Sequence, residues 1–343
     1  MRVGVDAQLA VGSATGIGEY VAGLIAALET AGIDAVGLRE PRLDPWRFDR
    51  RVLWDQFLLP LAAARSGAQL LHCASGTMPA LCPRPIVVTV HDVAWLRTQH
   101  HAPAYARYYF GRFSADRYHR ARRVVVDSEF SRGEVLACTS VDAARVDVVY
   151  PGVADDYFAI VREVQADPFV LVVGTIEPRK NLEVLVRALA HLDRSVRLSV
   201  VGPATAYERH CRAVASQLHV TGRIDWLGYV PRRTLLELYA RAALVAVPSL
   251  YEGFGYAAAQ ALCAGTPLVV SNAPSLIEVV AGAAPALDPQ DVEAWVEQIR
   301  AVLADRARAE EHAQVVRSAA TARFAWRVAA AQTCEVYAKA LVS

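Results

Sequence analysis

Short, uninterrupted apolar runs recur along this 343-residue chain, each followed by turn residues and a helical stretch. Val3–Val5, Leu70–His72, Ile86–Val90 and Val124–Asp127 form one series; Val170–Val173, Leu198–Val201, Ile224–Leu227, Leu244–Val247 and Leu268–Val270 form a second. A strand with one face in water alternates apolar and polar side chains, whereas a run that is apolar throughout is buried on both faces. Such strands, separated by helices, predict two doubly wound α/β domains. The boundary is expected between Tyr150 and Pro168, where turn residues and charges interrupt the pattern, giving domains over 1–165 and 166–325. That connector is also the expected hinge for closure of an interdomain cleft, where an active site of this architecture belongs. From Asp291 to Leu341 the spacing is helical, with a break at Phe324 and Trp326.

Thirty-six basic residues against thirty-five acidic ones leave a net charge of +1, which argues against a nucleic-acid protein driven by bulk charge and leaves only local patches to consider. The six cysteines are scattered without a CxxC pair, several within apolar segments, so buried thiols in a reducing compartment are the expected state. No metal-ligand cluster is visible. The chain enters a strand at Arg2–Asp6 without a signal peptide, and no apolar run reaches the roughly 18–20 residues of a membrane span, so the expectation is a soluble, cytoplasmic protein.

The most specific stretch is Pro248–Val270. A buried strand runs into a loop holding one acid, Glu252, among small residues; a helix is expected to open at Gly255, and another apolar strand follows Pro267. Gly253 and Gly255 can adopt backbone angles that turn amide N–H groups outward at the positive end of the helix, where an anion such as phosphate is held. Glu252 would repel phosphate but can accept hydrogen bonds from sugar hydroxyls, so the loop suggests a sugar joined to a phosphate. Arg179 and Lys180 follow the first strand of the second domain, on a loop stiffened by Pro178, and suit a diphosphate leaving group. The alternative, two solvated cations at a helix start, opposes the helix dipole.

His91-Asp92 and Ser128-Glu-Phe-Ser131 also follow strands. The histidine is a candidate for the cleft, and one of the serines is expected to cap the next helix. The loop Gly12–Gly18 before the helix Glu19–Glu29 reads equally as a ligand loop or a plain tight turn. The segment 100–123 is both basic and aromatic; a solvated helix with its aromatics in the core is favoured over one that lies on an anionic membrane or receives a lipid phosphate.

Together these residues resemble the retaining, nucleotide-sugar-dependent glycosyltransferases of family 4, whose GT-B architecture faces two Rossmann-like domains across a cleft. The resemblance spans nearly the whole chain. It rests on Gly16–Gly18, His91-Asp92, Ser128–Ser131, Tyr150–Val153, Gly174-Thr175 with Glu177–Asn181, and Pro248–Pro267. It implies that Arg179 and Lys180 bind the donor diphosphate and that Glu252 binds the sugar hydroxyls. The amides of Phe254 and Gly255 would contact sugar or phosphate, Gly16 and Gly18 the diphosphate, and His91 the neighbourhood of the anomeric carbon. Gly174, Thr175, Ser249 and Gly253 complete the implied donor set, and the last helix, 326–343, is expected to cross back to the first domain.

Two positions depart from the family pattern. The second acid of the Glu252 motif, a ribose ligand, is replaced by Gln260, which implies weaker donor binding, and Thr175 stands where many members have arginine. The resemblance extends to bacterial mannosyltransferases of surface polysaccharide synthesis. It implies GDP-mannose as donor, a glycan or polyprenyl-diphosphate-linked acceptor, peripheral contact with the inner membrane, and no resident metal or other cofactor. UDP-sugar transfer, a sugar-nucleotide epimerase, a phosphorylase, and a nucleotide-sugar-binding protein impaired by Gln260 are the competing readings.

Overall fold

A computed structural model describes residues 1–11, 16–97, 104–163 and 165–342. Two six-stranded parallel sheets organise them. The first contains β1 (Arg2–Asp6), β2 (Asp34–Leu38), β3 (Leu70–Cys73), β4 (Ile86–Val90), β5 (Arg123–Val126) and β6 (Val146–Val148), in the order β2-β1-β3-β4-β5-β6. The second contains β7 (Phe169–Val173), β8 (Arg197–Val201), β9 (Ile224–Gly228), β10 (Leu244–Val247), β11 (Leu268–Ser271) and β12 (Ala286–Leu287), in the order β12-β11-β10-β7-β8-β9. Every residue of β3, β4, β10 and β11 is buried, which is why these strands were legible as continuous apolar runs. β2, β6 and β12 are absent from the sequence-based set. All three lie at sheet edges and expose part of their length, so their sequences carry no such run.

The chain forms two compact units, one of Met1–Gly152 with Phe324–Ser343 and one of Val153–Arg323. The boundary expected at 165/166 therefore lies inside the second unit. Turn residues suggested a linker, but tertiary packing ties the segment down. Tyr157 is buried edge-on against Tyr239, with ring centroids 5.3 Å apart. Arg162 donates to the carbonyls of Tyr239, Ala240 and Ala242 and pairs with Glu310 at 2.6 Å. The stretch from Val153 to Glu163 is thus a docked arm of the second unit, and the division at Gly152/Val153 falls near the start of the connector expected between Tyr150 and Pro168.

The C-terminal helix Trp326–Val342 belongs to the first unit, packed on the helix Gly16–Thr30. Its Tyr337 hydroxyl lies 2.7 Å from Nδ1 of His72 on β3, and the Trp326 indole is seated against Gly23 and Gly152.

A helical run covers the carboxyl ends of β1 and β3: the helix Phe48–Leu53, a π-helical turn Trp54–Leu58 and the helix Leu59–Arg65. Arg51, 3% exposed, anchors it by donating to Asp6 at 3.3 Å, to Ser75 and Thr77 at 2.6 Å each, and to Asp55 at 3.0 Å. Trp54 Nε1 donates to Asp6 at 2.9 Å, and the Tyr109 hydroxyl donates to Asp55 at 2.9 Å. Each cysteine is a free thiol.

Candidate active site

In the second sheet the first strand, β7, is central, with β8 and β9 on one side and β10, β11 and β12 on the other. Chain order therefore reverses between β7 and β10, the place where parallel sheets of this kind bind ligands beyond their carboxyl ends. The loops leaving β7 and β10 carry most of the expected site.

These loops meet around Glu252, which is 6% exposed. Its Oε1 accepts from Lys180 Nζ at 2.5 Å and from the Ser249 hydroxyl at 2.8 Å; its Oε2 accepts from Arg179 Nη1 at 3.0 Å. Glu177 pairs with Arg179 Nε at 2.7 Å, so two cations and two carboxylates alternate. Burial by itself would raise the Glu252 carboxyl, but Lys180, Arg179 and the hydrogen bonds hold it down at about 2. Lys180 is lowered, because burial outweighs the attraction of Glu252. The Arg179 and Lys180 side chains are only 21% and 22% exposed, which excludes the solvated-cation alternative.

The basic pair lies in a 3-10 turn, Pro178–Lys180, ahead of the helix Leu182–Leu189 and not within its first turn. Asn181 joins the two elements in the left-handed region, and its Nδ2 donates to the carbonyls of Pro248 at 3.1 Å and Pro289 at 2.7 Å. Leu250 N donates to the Arg179 carbonyl at 2.7 Å, stitching the same two loops together. Ser275 Oγ donates to the Glu252 carbonyl at 2.7 Å. The sequence reading named Glu177 and Asn181 only as members of a motif, without a role, and missed Ser275, since a motif does not show which backbone its residues brace.

Gly255, at φ +98°, caps the helix Tyr256–Ala264 as expected. Gly253 is not among the glycines at positive φ, so that part of the expectation is corrected: the chain reverses at Gly255 alone. Phe254 is buried. Gly174 lies beside Lys180, and its carbonyl packs on Gly202, where a Cβ would fall 2.0 Å from that oxygen. Thr175 follows Gly174 on the β7 loop. Gln260 is 4% exposed, and its Oε1 accepts from the Tyr239 hydroxyl at 3.0 Å. Tyr239, another residue missed, thereby orients the Gln260 side chain.

In the first unit His91 follows β4 and meets Asp127, which follows β5, through Nδ1 and Oδ2 at 2.7 Å. Its Nε2 lies 3.0 Å from the Ala74 carbonyl after β3. Ser128 is the expected cap, accepting from Ser131 N at 2.9 Å. Gly16 and Gly18 belong to the first turn of the helix Gly16–Thr30 and not to a loop before it, which corrects the expected helix start at Glu19. A Cβ at Gly18 would fall 2.6 Å from the Leu9 carbonyl, so close packing accounts for that glycine. Gly12–Thr15 and residues 98–103, the latter including His100 and His101 of the basic aromatic segment, lie outside the described residues. Among the described residues, no group of His, Cys, Asp and Glu is placed to hold a metal ion, and no helix is long and apolar enough to cross a membrane.

Two doubly wound parallel sheets, with a carboxylate held between cations at the second sheet's switch point, define a glycosyltransferase of the GT-B class. Residues 14–157 match the family model described as Glycosyltransferase Family 4, and residues 153–322 match that described as Glycosyl transferases group 1. The O-antigen chain mannosyltransferase B of Escherichia coli is 30% identical over 266 residues, covering 73% of this chain and 69% of that protein. A D-inositol 3-phosphate glycosyltransferase of Xylanimonas cellulosilytica is 33% identical over 278 residues, covering 75% of this chain and 66% of its own length. In fold the chain is similar to a sucrose-phosphate synthase of Thermosynechococcus elongatus, with a TM-score of 0.80 at 20% identity, covering 100% of this chain and 99% of the other. The chain belongs to glycosyltransferase family 4.

Proposed function

We propose that the protein transfers mannose from GDP-mannose, with retention at the anomeric carbon, to a hydroxyl of a glycan or lipid-linked acceptor in surface polysaccharide synthesis. The observation that carries this reading is Glu252 held between Arg179 and Lys180 at the switch point of the second sheet. Similarity to an O-antigen mannosyltransferase supports the choice of sugar and pathway class. In the proposed step the bond from C1 to the diphosphate oxygen breaks, the acceptor oxygen bonds to C1 on the same face, and the departing phosphate takes the acceptor's proton. Arg179 and Lys180 stabilise the charge that grows on the phosphate, so no resident metal ion is required. Glu252 and Ser249 orient sugar hydroxyls, and the amides beyond them, at Gly253, Phe254 and Gly255, face the donor. Gly174 and Thr175, on the loop after β7, line the diphosphate side. Gln260 offers N–H to a ribose oxygen where an acid would accept from a ribose hydroxyl.

Thermal melting against GDP, UDP, ADP and dTDP, each with magnesium and with a chelator, tests the donor. GDP is expected to raise the midpoint selectively and equally in both conditions. Gln260→Glu is expected to enlarge that shift, because the Tyr239 hydroxyl would occupy one carboxylate oxygen and leave the other for ribose. A preference for UDP would move the donor to a UDP-sugar, and silence towards all four would sink the reading.

Peripheral attachment to an anionic membrane is part of the same proposal. Residues 39–123 contain fourteen arginines and six acidic residues, in a chain whose net charge is only +1. Leu53, Phe57 and Leu61 are exposed at four-residue spacing along the helical run, Phe57 by 66%, and Tyr105 and Tyr108 are exposed nearby, with Tyr105 against Phe48 at 4.6 Å. The π-helical turn winds more slowly than an α-helix, which keeps that spacing on one line. Apolar side chains interleaved with arginines fit anionic lipid headgroups over an acyl boundary. Vesicles containing phosphatidylglycerol are expected to sediment the protein while neutral vesicles do not. Replacing Phe57 and Leu61 with serine should weaken that binding by about tenfold or more. Equal binding to both lipids would remove this part.

A further inference from the structure

Both ring nitrogens of His91 meet oxygen acceptors: Nδ1 the Asp127 carboxylate at 2.7 Å, and Nε2 the Ala74 carbonyl at 3.0 Å. A neutral imidazole has one N–H, so either tautomer would press a lone pair against one of those oxygens. The doubly protonated ring donates to both. Moving the shared proton to Asp127 would also satisfy Nδ1, but Asp127 and Asp92 together strengthen the ring's hold on its proton.

The carboxylate needs the cation as much as the ring needs the carboxylate. Asp127 is 4% exposed, and His91 is its ion-pair partner at 2.7 Å. Its Oδ1 is buried and makes no hydrogen bond, so a neutral ring would leave a buried charge uncompensated. The imidazole is further held by the Tyr20 ring, edge-on at 4.8 Å, and the His91 carbonyl accepts from Ser131 Oγ at 3.2 Å. The side chain nonetheless remains 18% exposed.

The charged and titratable neighbours are Asp127 from the end of β5, Asp92 next in the chain, His72 from β3 and Tyr20 from the helix Gly16–Thr30. Burial opposes charge on His91, but Asp127, the Ala74 carbonyl and Asp92 outweigh it and leave the ring above its ordinary value. His72, which burial pushes down to about 3, stays neutral and adds no competing cation.

We infer that Asp127 is a positioning residue that holds His91 as an imidazolium, so that the ring serves sugar transfer as a fixed positive charge and not as a proton acceptor. The protonation stands on geometry; its use in transfer rests on the function proposed above. A reaction in which the departing phosphate takes the acceptor's proton has use for a fixed cation and no need of a base. The sign of the linkage follows: the raised value makes the pair fully stabilising below the unfolded imidazole value of about 6.5, with that contribution lost as pH rises through the folded value.

The test is NMR of protein carrying 15N-histidine, followed from about pH 6 to pH 9, with the His91 signals assigned by their loss in His91→Gln. Both ring nitrogens are expected to be protonated at about pH 7.5, and Asp127→Asn should move the titration to lower pH. In transfer assays kcat should fall on the alkaline side with the ring's own midpoint. Asp127→Asn should shift that limb to lower pH, and Asp127→Glu should restore much of it. One protonated nitrogen in the wild type at about pH 7.5, or an unchanged midpoint in Asp127→Asn, overturns the inference. If Asp127→Asn does not fold, the wild-type spectrum decides alone. An imidazolium in a protein that transfers no sugar would uphold the positioning and sink the transfer reading.

Discussion

Replacing Lys180 with alanine is expected to lower kcat by about 10²–10³-fold while the nucleotide-induced rise in melting temperature persists. Lys180 Nζ sits 2.5 Å from Glu252 and shares that carboxylate with Arg179. A compact ammonium placed there acts on charge that develops as the phosphate departs, so its loss falls on the transition state more than on ground-state binding. Burial already lowers its proton affinity, which means that the ammonium is poorly hydrated and ready to meet an anion. Glu252, held at about 2, stays ionised across the working range in the wild type. Steady-state kinetics with donor and acceptor varied separately check the expectation. Turnover within about threefold of wild type would remove Lys180 from the chemistry.

Arg51→Ala is expected to cost the first unit about 3–5 kcal/mol, the usual penalty for breaking a buried ion pair on one side. The guanidinium is the cation between Asp6 and Asp55, which are 1% and 0% exposed, and its Nη2 also satisfies Ser75 and Thr77. Without it two buried carboxylates remain, Asp6 at the end of β1 and Asp55 within the π-helical turn, with the cation between them gone. Hydrogen exchange resolved by peptide should show β1, β3 and residues 48–65 losing protection together, while β7 to β11 keep theirs. Combining Arg51→Leu with Asp6→Asn and Asp55→Asn should recover much of the loss, because the penalty lies in the uncompensated charge. Unchanged exchange in Arg51→Ala would show that the cluster does not anchor the run.

Much of the fold and part of the site could be read from the chain alone. Nine of the twelve strands were legible: eight are interior strands with largely apolar sequences, and the ninth, β9, is an edge strand that still carries Ile224, Trp226 and Leu227. β2, β6 and β12 were not, since an edge strand half in water carries ordinary surface residues. Arg179, Lys180 and Glu252 could be named because charge on loops that follow apolar strands has few structural uses; Ser249 came only with the family resemblance. Their alternation with Glu177, which sets the protonation of the group, depends on where two loops far apart in sequence are brought side by side.

The same distinction separates His91 from Asp127, and Gln260 from Tyr239. Sequence by itself determined the two doubly wound sheets, the family and the loops that carry chemistry, because burial periodicity and short-range motifs are properties of neighbouring residues. Tertiary structure alone decided that Val153–Glu163 is a docked arm, that the Gln260 side chain accepts from Tyr239, and that both ring nitrogens of His91 face oxygen atoms. Each of these depends on partners well apart in the chain, from 17 residues for His91 and Ala74 to 148 for Arg162 and Glu310, and only folding sets their distances.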